Sequence, residues 1–344
     1  MRVIGRLILS AVLLVLTGLL MAVAAFLPEL FFSFYTDFSK GAMNAISAVT
    51  GKLPFALWEW VVVVVVLLGL YFLIRKRHVV RWLSGLLLYV SVFVFLFMAL
   101  WGLNYFAPAV RQPAQDYSVQ TLKETALYLA AQANATADQV PRDENGRMKA
   151  DFDHLASIAS DGYDVLAQED PFFSGSREPV KKLLFGKLFS YMGFTGIFVP
   201  WTAESSINGD ISAMELPFTM CHELAHRLTV AREDEANFCA FLASIHNPAP
   251  EFQYSGWYQA YLHVYSALYQ TDSAAALETA DLLSSTVRQD MMAEAARDAK
   301  YDSAFQDAAQ KANDLYLKAA GDPDGDKSYG KVTDLLVAWY LEQE

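Results

Sequence analysis

Apolar residues dominate three long stretches within the first hundred positions, Leu7 to Leu27, Leu53 to Ile74 and Trp82 to Leu103. At 1.5 Å of rise per residue each is long enough to cross roughly 30 Å of hydrocarbon. The middle stretch holds the unbroken run Val61 to Leu68, which in a water-soluble protein would read as a buried strand. Its length and the flanking Trp58 and Trp60 predict a membrane helix instead. Glu59, near its start, is expected to reach the interface with its stem in apolar surroundings. After Pro108 and Pro113 polar positions return at a helical period. They predict helices over Thr121 to Asn134, Phe152 to Gln168, Gly256 to Tyr269, Ser273 to Asp298 and Ser303 to Ala320, separated by turns at Pro141 to Gly146, Asp170 to Ser176, Pro248 to Pro250 and Gly321 to Gly325. Gly196 to Asn208 breaks the pattern, because Ile197, Phe198, Val199 and Trp201 suggest an extended edge strand containing Pro200.

The expected fold is therefore mainly α, with three transmembrane helices (about 7–27, 53–74 and 82–103) followed by a mostly helical part with a small edge-strand element. A boundary near 106 divides a membrane domain, 1–106, from an outer domain, 107–344. Charge agrees with that division. The 344 residues are 54% hydrophobic and 19% charged, too apolar for disorder. Residues 1–103 hold eight Lys/Arg against three Asp/Glu, and the remainder holds 18 against 35. An acidic outer part without a basic stripe excludes nucleic-acid binding, which needs clustered Lys and Arg to meet phosphates.

Orientation follows from where the cations fall. Arg2 and Arg6 precede the first stretch, and Arg75, Lys76, Arg77 and Arg81 lie between the second and third. The positive-inside rule then puts the amino terminus in the cytoplasm and the outer domain on the far side of the cell membrane. The small residues Ala22 to Ala25 also allow a cleaved signal peptide, although the apolar run is long for one, and the outer domain would lie on the same side. Two cysteines, Cys221 and Cys239, are too few for a disulfide framework and read as small buried residues.

The chemistry concentrates in His222-Glu223-Leu224-Ala225-His226, an H-E-x-x-H. On a helix, positions i and i+4 share a face, so both imidazoles can reach one metal ion while Glu223 stands beside them as a general base. A catalytic zinc site takes three protein ligands and leaves one position for water. Downstream, REDEANF offers Glu233 and Glu235. Were the helix to continue to Glu233, seven residues would carry its carboxylate roughly 10 Å along the axis, out of range. The helix must therefore stop and the chain fold back, with Thr229 and Val230 as the turn. If that segment is helical, Glu233 and Glu235 cannot both face the metal. Glu233 is preferred because Asn237, at i+4 from it, could accept a ring N–H from a ligand histidine. Glu235 remains the alternative ligand, or a carboxylate stabilised at a helix start. His263, Tyr254, Tyr258 and His246 are candidates for stabilising an oxyanion.

HELAH followed by ExxAN resembles the glutamate-ligand zinc metallopeptidases. WGLNYF from Trp101, GIFVPWTAESSIN, LPFTMCHELAH, REDEANF, YSGWYQAYLHVYSALY from Tyr254 and SYGKVTDLL from Ser328 together resemble a bacterial membrane family, domain of unknown function 3810 (DUF3810). That resemblance implies three amino-terminal spans and an outer zincin-like domain. The spacing from His226 to Glu233 is shorter than in the well-known membrane members of the metallopeptidase group, and Asn237 replaces their usual Asp. The expected activity is zinc-dependent hydrolysis of a peptide or protein substrate, with Zn²⁺ on His222, His226 and Glu233, a water of lowered pKa, and Glu223 moving the proton. The alternative is a non-catalytic membrane sensor or assembly protein that keeps a metal-stabilised fold. Asp322, Asp324 and Asp326 lack the spacing of a calcium loop and read as a solvated turn.

Overall fold

The structure, a computed structural model, describes residues 3–74, 79–321 and 331–343. Arg75, Lys76, Arg77, the three aspartates Asp322, Asp324 and Asp326, and the first residues of SYGKVTDLL lie outside them. Four helices open the chain: α1 (Val3–Phe26), α2 (Pro28–Thr50), α3 (Leu57–Ile74) and α4 (Val79–Leu100). Among the described residues α1 and α4 are long and apolar enough to cross a membrane, whereas the expected middle span is a shorter apolar helix, described as such over Leu57–Tyr71. Its start is also later than expected: residues 51–55, with Pro54 among them, form turns and bends, and the helix begins at Leu57 rather than Leu53. Helix α2 was not anticipated; it buries Phe31, Phe32, Tyr35 and Met43 on one side while Asp37 and Lys40 interrupt its apolar pattern.

The outer part is mostly helical. A 3₁₀ turn (Gly102–Phe106) leads into α5 (Val119–Ala137), α6 (Phe152–Ile158) and α7 (Asp161–Glu169). Strand β1 (Lys181–Lys182), α8 (Gly186–Met192), β2 (Gly196–Val199) and β3 (Glu204–Ile207) follow, then α9 (Leu216–Arg227) and α10 (Glu233–His246). The chain closes with α11 (Pro250–Thr271), α12 (Ser273–Ala280), α13 (Ser285–Asp298), α14 (Ala304–Ala320) and α15 (Val332–Leu341). The stretch expected as one strand is a hairpin: β2 pairs antiparallel with β3, Phe198 opposite Ser205, and β1 pairs parallel with β3 on its other side. Strand β2 is thus at the sheet edge, as its sequence suggested, with Pro200 in the turn. The main core joins Leu129 of α5, Tyr163 of α7, Leu224 of α9, Phe241 of α10, Tyr258 of α11 and Trp339 of α15.

A second apolar cluster joins α1, α2 and α4 to the outer part through Phe97, Trp101, Phe198 and Leu317. Buried polar groups reinforce that junction. Lys181 Nζ donates to the carbonyls of Thr50 (2.7 Å) and Phe55 (2.9 Å) and pairs with Glu204, whose carboxylate also accepts the Leu57 and Trp58 N–H groups at the start of α3. Glu59 departs from its sequence reading as an interfacial carboxylate: it is buried and accepts the N–H groups of Leu184 and Phe185, each at 3.0 Å. Two backbone donors with no helical partner of their own supply the reason.

Candidate metal centre

Helix α9 is pinned from three sides. Pro217 lies in its first turn, the Phe218 N–H donates to Ser255 Oγ of α11 (3.0 Å), Ser205 Oγ of β3 donates to the Glu223 carbonyl (2.7 Å), and Tyr163 Oη of α7 donates to the Cys221 carbonyl (2.8 Å). A helix held this way presents His222 and His226 on one face, with their Nε2 atoms 3.0 Å apart. Cys221 and Cys239 are both buried free thiols, pushed well above the ordinary thiol range by burial.

Just past His226 the helix stops. Thr229 takes φ +76°, its N–H donates to the His226 carbonyl and the Val230 N–H to the Ala225 carbonyl. This is a Schellman termination with threonine at the left-handed position where glycine is usual. The reversal starts α10 at Glu233 and returns its carboxylate to the imidazoles, 3.2 Å from His222 Nε2 and 3.7 Å from His226 Nε2. Ligand atoms of the three residues lie within 4.8 Å of one another. Glu235 is turned away, accepting the Val110 N–H (2.9 Å) and pairing with Arg232.

The tautomers are fixed from behind. His222 Nδ1 donates to Asn237 Oδ1 (2.9 Å) and His226 Nδ1 donates to the Val230 carbonyl (2.7 Å). Both Nε2 atoms consequently face each other and a carboxylate, an arrangement that repels itself unless a metal ion or a proton sits among them. Two ligands about 2.1 Å from one ion at a tetrahedral angle are roughly 3.4 Å apart, close to the separations found, and an N, N, O donor set suits Zn²⁺. Without a metal ion a proton takes that place: burial alone would lower His226, but Glu233 more than reverses this and raises it to about 9, so that metal binding must displace a proton from its Nε2. Burial alone would raise Glu233, yet the two imidazoles hold it well below the carboxylate range.

Glu223 occupies a different environment. Burial pushes its carboxyl up, against the pull of His222 and His226, and its Oε2 is buried without a hydrogen-bond partner among the described residues. It faces Gly196 of β2 so closely that a Cβ there would come within 2.6 Å of Glu223 Oε1, which explains the glycine. The cluster opens into a cleft of about 760 Å³ between β2, α9 and α14, lined also by Phe97 and Trp101, by Asn237 and by His263. Of the four oxyanion candidates, His263 alone lines this cleft; burial and the nearby His222 lower it to about 4, so it is neutral at pH 7. Tyr254 and Tyr258 donate to Asp290 and Glu294 in the core, and His246 Nδ1 donates to the Leu242 carbonyl. Sequence reasoning missed Trp101, whose Nε1–H donates to the His226 carbonyl at 2.9 Å. No local signal links residues 125 apart; only the WGLNYF motif marked it.

The family model described as protein of unknown function DUF3810 matches residues 34–337, from within α2 to within α15. No curated protein and no solved structure matches the chain.

Proposed function

The chain belongs to the DUF3810 family, and we propose that it is a membrane-anchored zinc metallopeptidase with His222, His226 and Glu233 as metal ligands. One observation carries this reading: two imidazoles committed as Nδ1–H donors aim their Nε2 atoms at one carboxylate, with a second carboxylate, one oxygen of it buried and unpartnered among the described residues, beside them on an open cleft. Bound there, Zn²⁺ would supply Lewis acidity toward a peptide carbonyl and an attacking water. Glu223 takes that water's proton on a carboxylate oxygen and delivers it to the leaving amine. Asn237 and the Val230 carbonyl keep both rings in the ligating tautomer. Neutral His263 is the cleft's donor toward a developing oxyanion, and the edge of β2 can receive an extended peptide by strand addition.

For the anchor, α1 and α4 cross the bilayer side by side in the same sense, since Arg6 near the start of α1 donates to the Arg81 carbonyl near the start of α4. Two parallel crossings need a return between them, which α3 provides. With Arg6 and Arg81 cytoplasmic, the cleft faces outward.

Purified full-length protein should contain about one zinc per chain. Glu223→Gln should retain it while kcat on a cleaved peptide falls about a thousandfold, and His222→Ala should lose both metal and activity. A protein without zinc, or Glu223→Gln with undiminished hydrolysis, would defeat the assignment.

A further inference from the structure

Helix α8 and the residues before it carry an apolar face that the fold leaves uncovered. Leu184 is 61% exposed, Phe185 44%, Leu188 50% and Tyr191 48%, and Lys187 is exposed among them. Leu188 and Tyr191 fall on one side of α8 at helical spacing, Leu184 and Phe185 lie in the turn before it, and Tyr191 packs edge-on against Tyr301 while keeping much of its ring exposed. An uncovered face acquires meaning only from its surroundings, and here these are the membrane helices. Glu59 in the first turn of α3 holds the Leu184 and Phe185 N–H groups, Trp58 packs edge-on against Phe189 with ring centres 6.0 Å apart, and Trp58 Nε1 donates to Ser206 Oγ. The segment is therefore fixed at the level of Phe55, Trp58 and Trp60, an aromatic group of the kind that marks the headgroup layer. From Trp60 onward α3 exposes only apolar side chains through Leu70, Val63 and Gly69 excepted as small or half-covered positions.

The opposite side of α8 faces the cleft. Phe189, Gly193 and Phe194 form one wall, and the floor runs through Phe97 and Trp101 onto α4. There Phe93, still partly exposed, stacks on Trp201 with ring centres 3.8 Å apart. We propose that α8 rests in the bilayer surface and seats the cleft there, so that the site takes peptide segments anchored in or emerging from the membrane. The contact with lipid is continuous with that of α3 and α4; Lys187 meets headgroup phosphates while Leu184, Leu188 and Tyr191 enter the acyl boundary. The substrate class rests on the hydrolytic reading of the metal centre, whereas the bilayer contact requires only that α1 and α4 span.

Both parts can be measured on full-length protein in liposomes of phosphatidylcholine and phosphatidylglycerol. An environment-sensitive label on Leu188→Cys should be quenched by lipids carrying a nitroxide near the headgroup and protected from aqueous iodide. Both native cysteines are fully buried and should not react. The control is Leu282→Cys, 61% exposed and just before the far end of α13, roughly 20 Å from Arg297, which donates to Ser190 of α8. It should show the reverse. Tyr191→Cys provides a second labelled position. A peptide cleaved by the enzyme should be cut roughly tenfold or more faster when tethered by a membrane anchor than when free, because anchor and enzyme share one bilayer, and Leu188→Asp, which leaves α1 and α4 in the membrane but unseats the cleft, should lower that ratio without abolishing it. Iodide quenching at Leu188 and Tyr191 equal to that at Leu282 would overturn the bilayer contact. Equal cleavage of free and anchored peptide, with the label in lipid, would overturn the substrate class alone. Cleavage of neither peptide would remove the hydrolytic reading and the substrate class with it, leaving the label measurement to decide the contact.

Discussion

Two buried knots of charge lie on successive elements, Glu204 on β3 and His222 and His226 on α9, and they are built differently. At the junction with the membrane helices, Lys181 spends its three donors on the carbonyls of Thr50 and Phe55 and on Glu204, and Glu204 accepts two further N–H groups from the start of α3. Each of those donors has an acceptor. Behind β2 the lone pairs of His222, His226 and Glu233 converge on one point, and Glu223 Oε2 has no partner among the described residues. Removing charge from water costs several kcal/mol unless it is matched. The first knot is complete as folded and fastens helices, while the second gathers the ligand atoms that the proposed metal ion would complete. Satisfaction, rather than burial, separates these two knots.

The contrast is most exposed to failure at Glu204. Replacing it by Leu strands the Lys181 ammonium and two N–H groups, so unfolding free energy should drop by about 3–5 kcal/mol, read as a lowered denaturation midpoint in detergent. The double variant Lys181→Met, Glu204→Leu should recover most of the loss, because the unpaired charge is gone. A single variant within 1 kcal/mol of the parent would mean the knot is not structural. In the metal centre a smaller effect of another kind is expected. Asn237→Ala removes the acceptor that orients His222, and zinc affinity measured by competition with a chromophoric chelator should fall about 10- to 100-fold. The metal-free protein should melt almost unchanged. Unaltered affinity would show that His222 is oriented by packing alone.

The site was more legible in the sequence than the fold around it. Helical spacing puts His222 and His226 on one face, and the axial rise requires a reversal before a downstream carboxylate can return to them, so the place of the turn follows from short-range geometry, while between Glu233 and Glu235 the sequence offers only a preference. Asn237 was readable for the same reason. What escaped depends on distance in sequence. Helix α2 reads as a loop because Asp37, Lys40 and Asn44 interrupt its apolar positions, which become a face only when Phe31, Tyr35 and Met43 pack against partners elsewhere. Glu59 reads as interfacial because nothing near it announces the Leu184 and Phe185 donors, 125 and 126 positions away. The hairpin reads as one strand because its turn, Pro200 to Ala203, lacks the glycine or asparagine that marks such turns, although Ala203 takes φ +48°.

The smallest expected effect concerns the turn that closes the site. Thr229, β-branched and buried, sits at φ +76°, a conformation that costs such a residue about 1–2 kcal/mol. Glycine removes that cost but raises the entropy of the unfolded chain by about 0.5–1 kcal/mol. Thr229→Gly should therefore stabilise the metal-free protein by no more than about 1 kcal/mol. The turn also holds the Val230 carbonyl against His226 Nδ1 at 2.7 Å, and a glycine hinge leaves that acceptor freer to move. Zinc affinity should accordingly fall a fewfold while the melting temperature rises, the opposing signs that mark strain kept for a site rather than for the fold. Were both to rise together, the threonine would be an accident of the turn and the metal centre would owe its geometry to α9 and α10 alone.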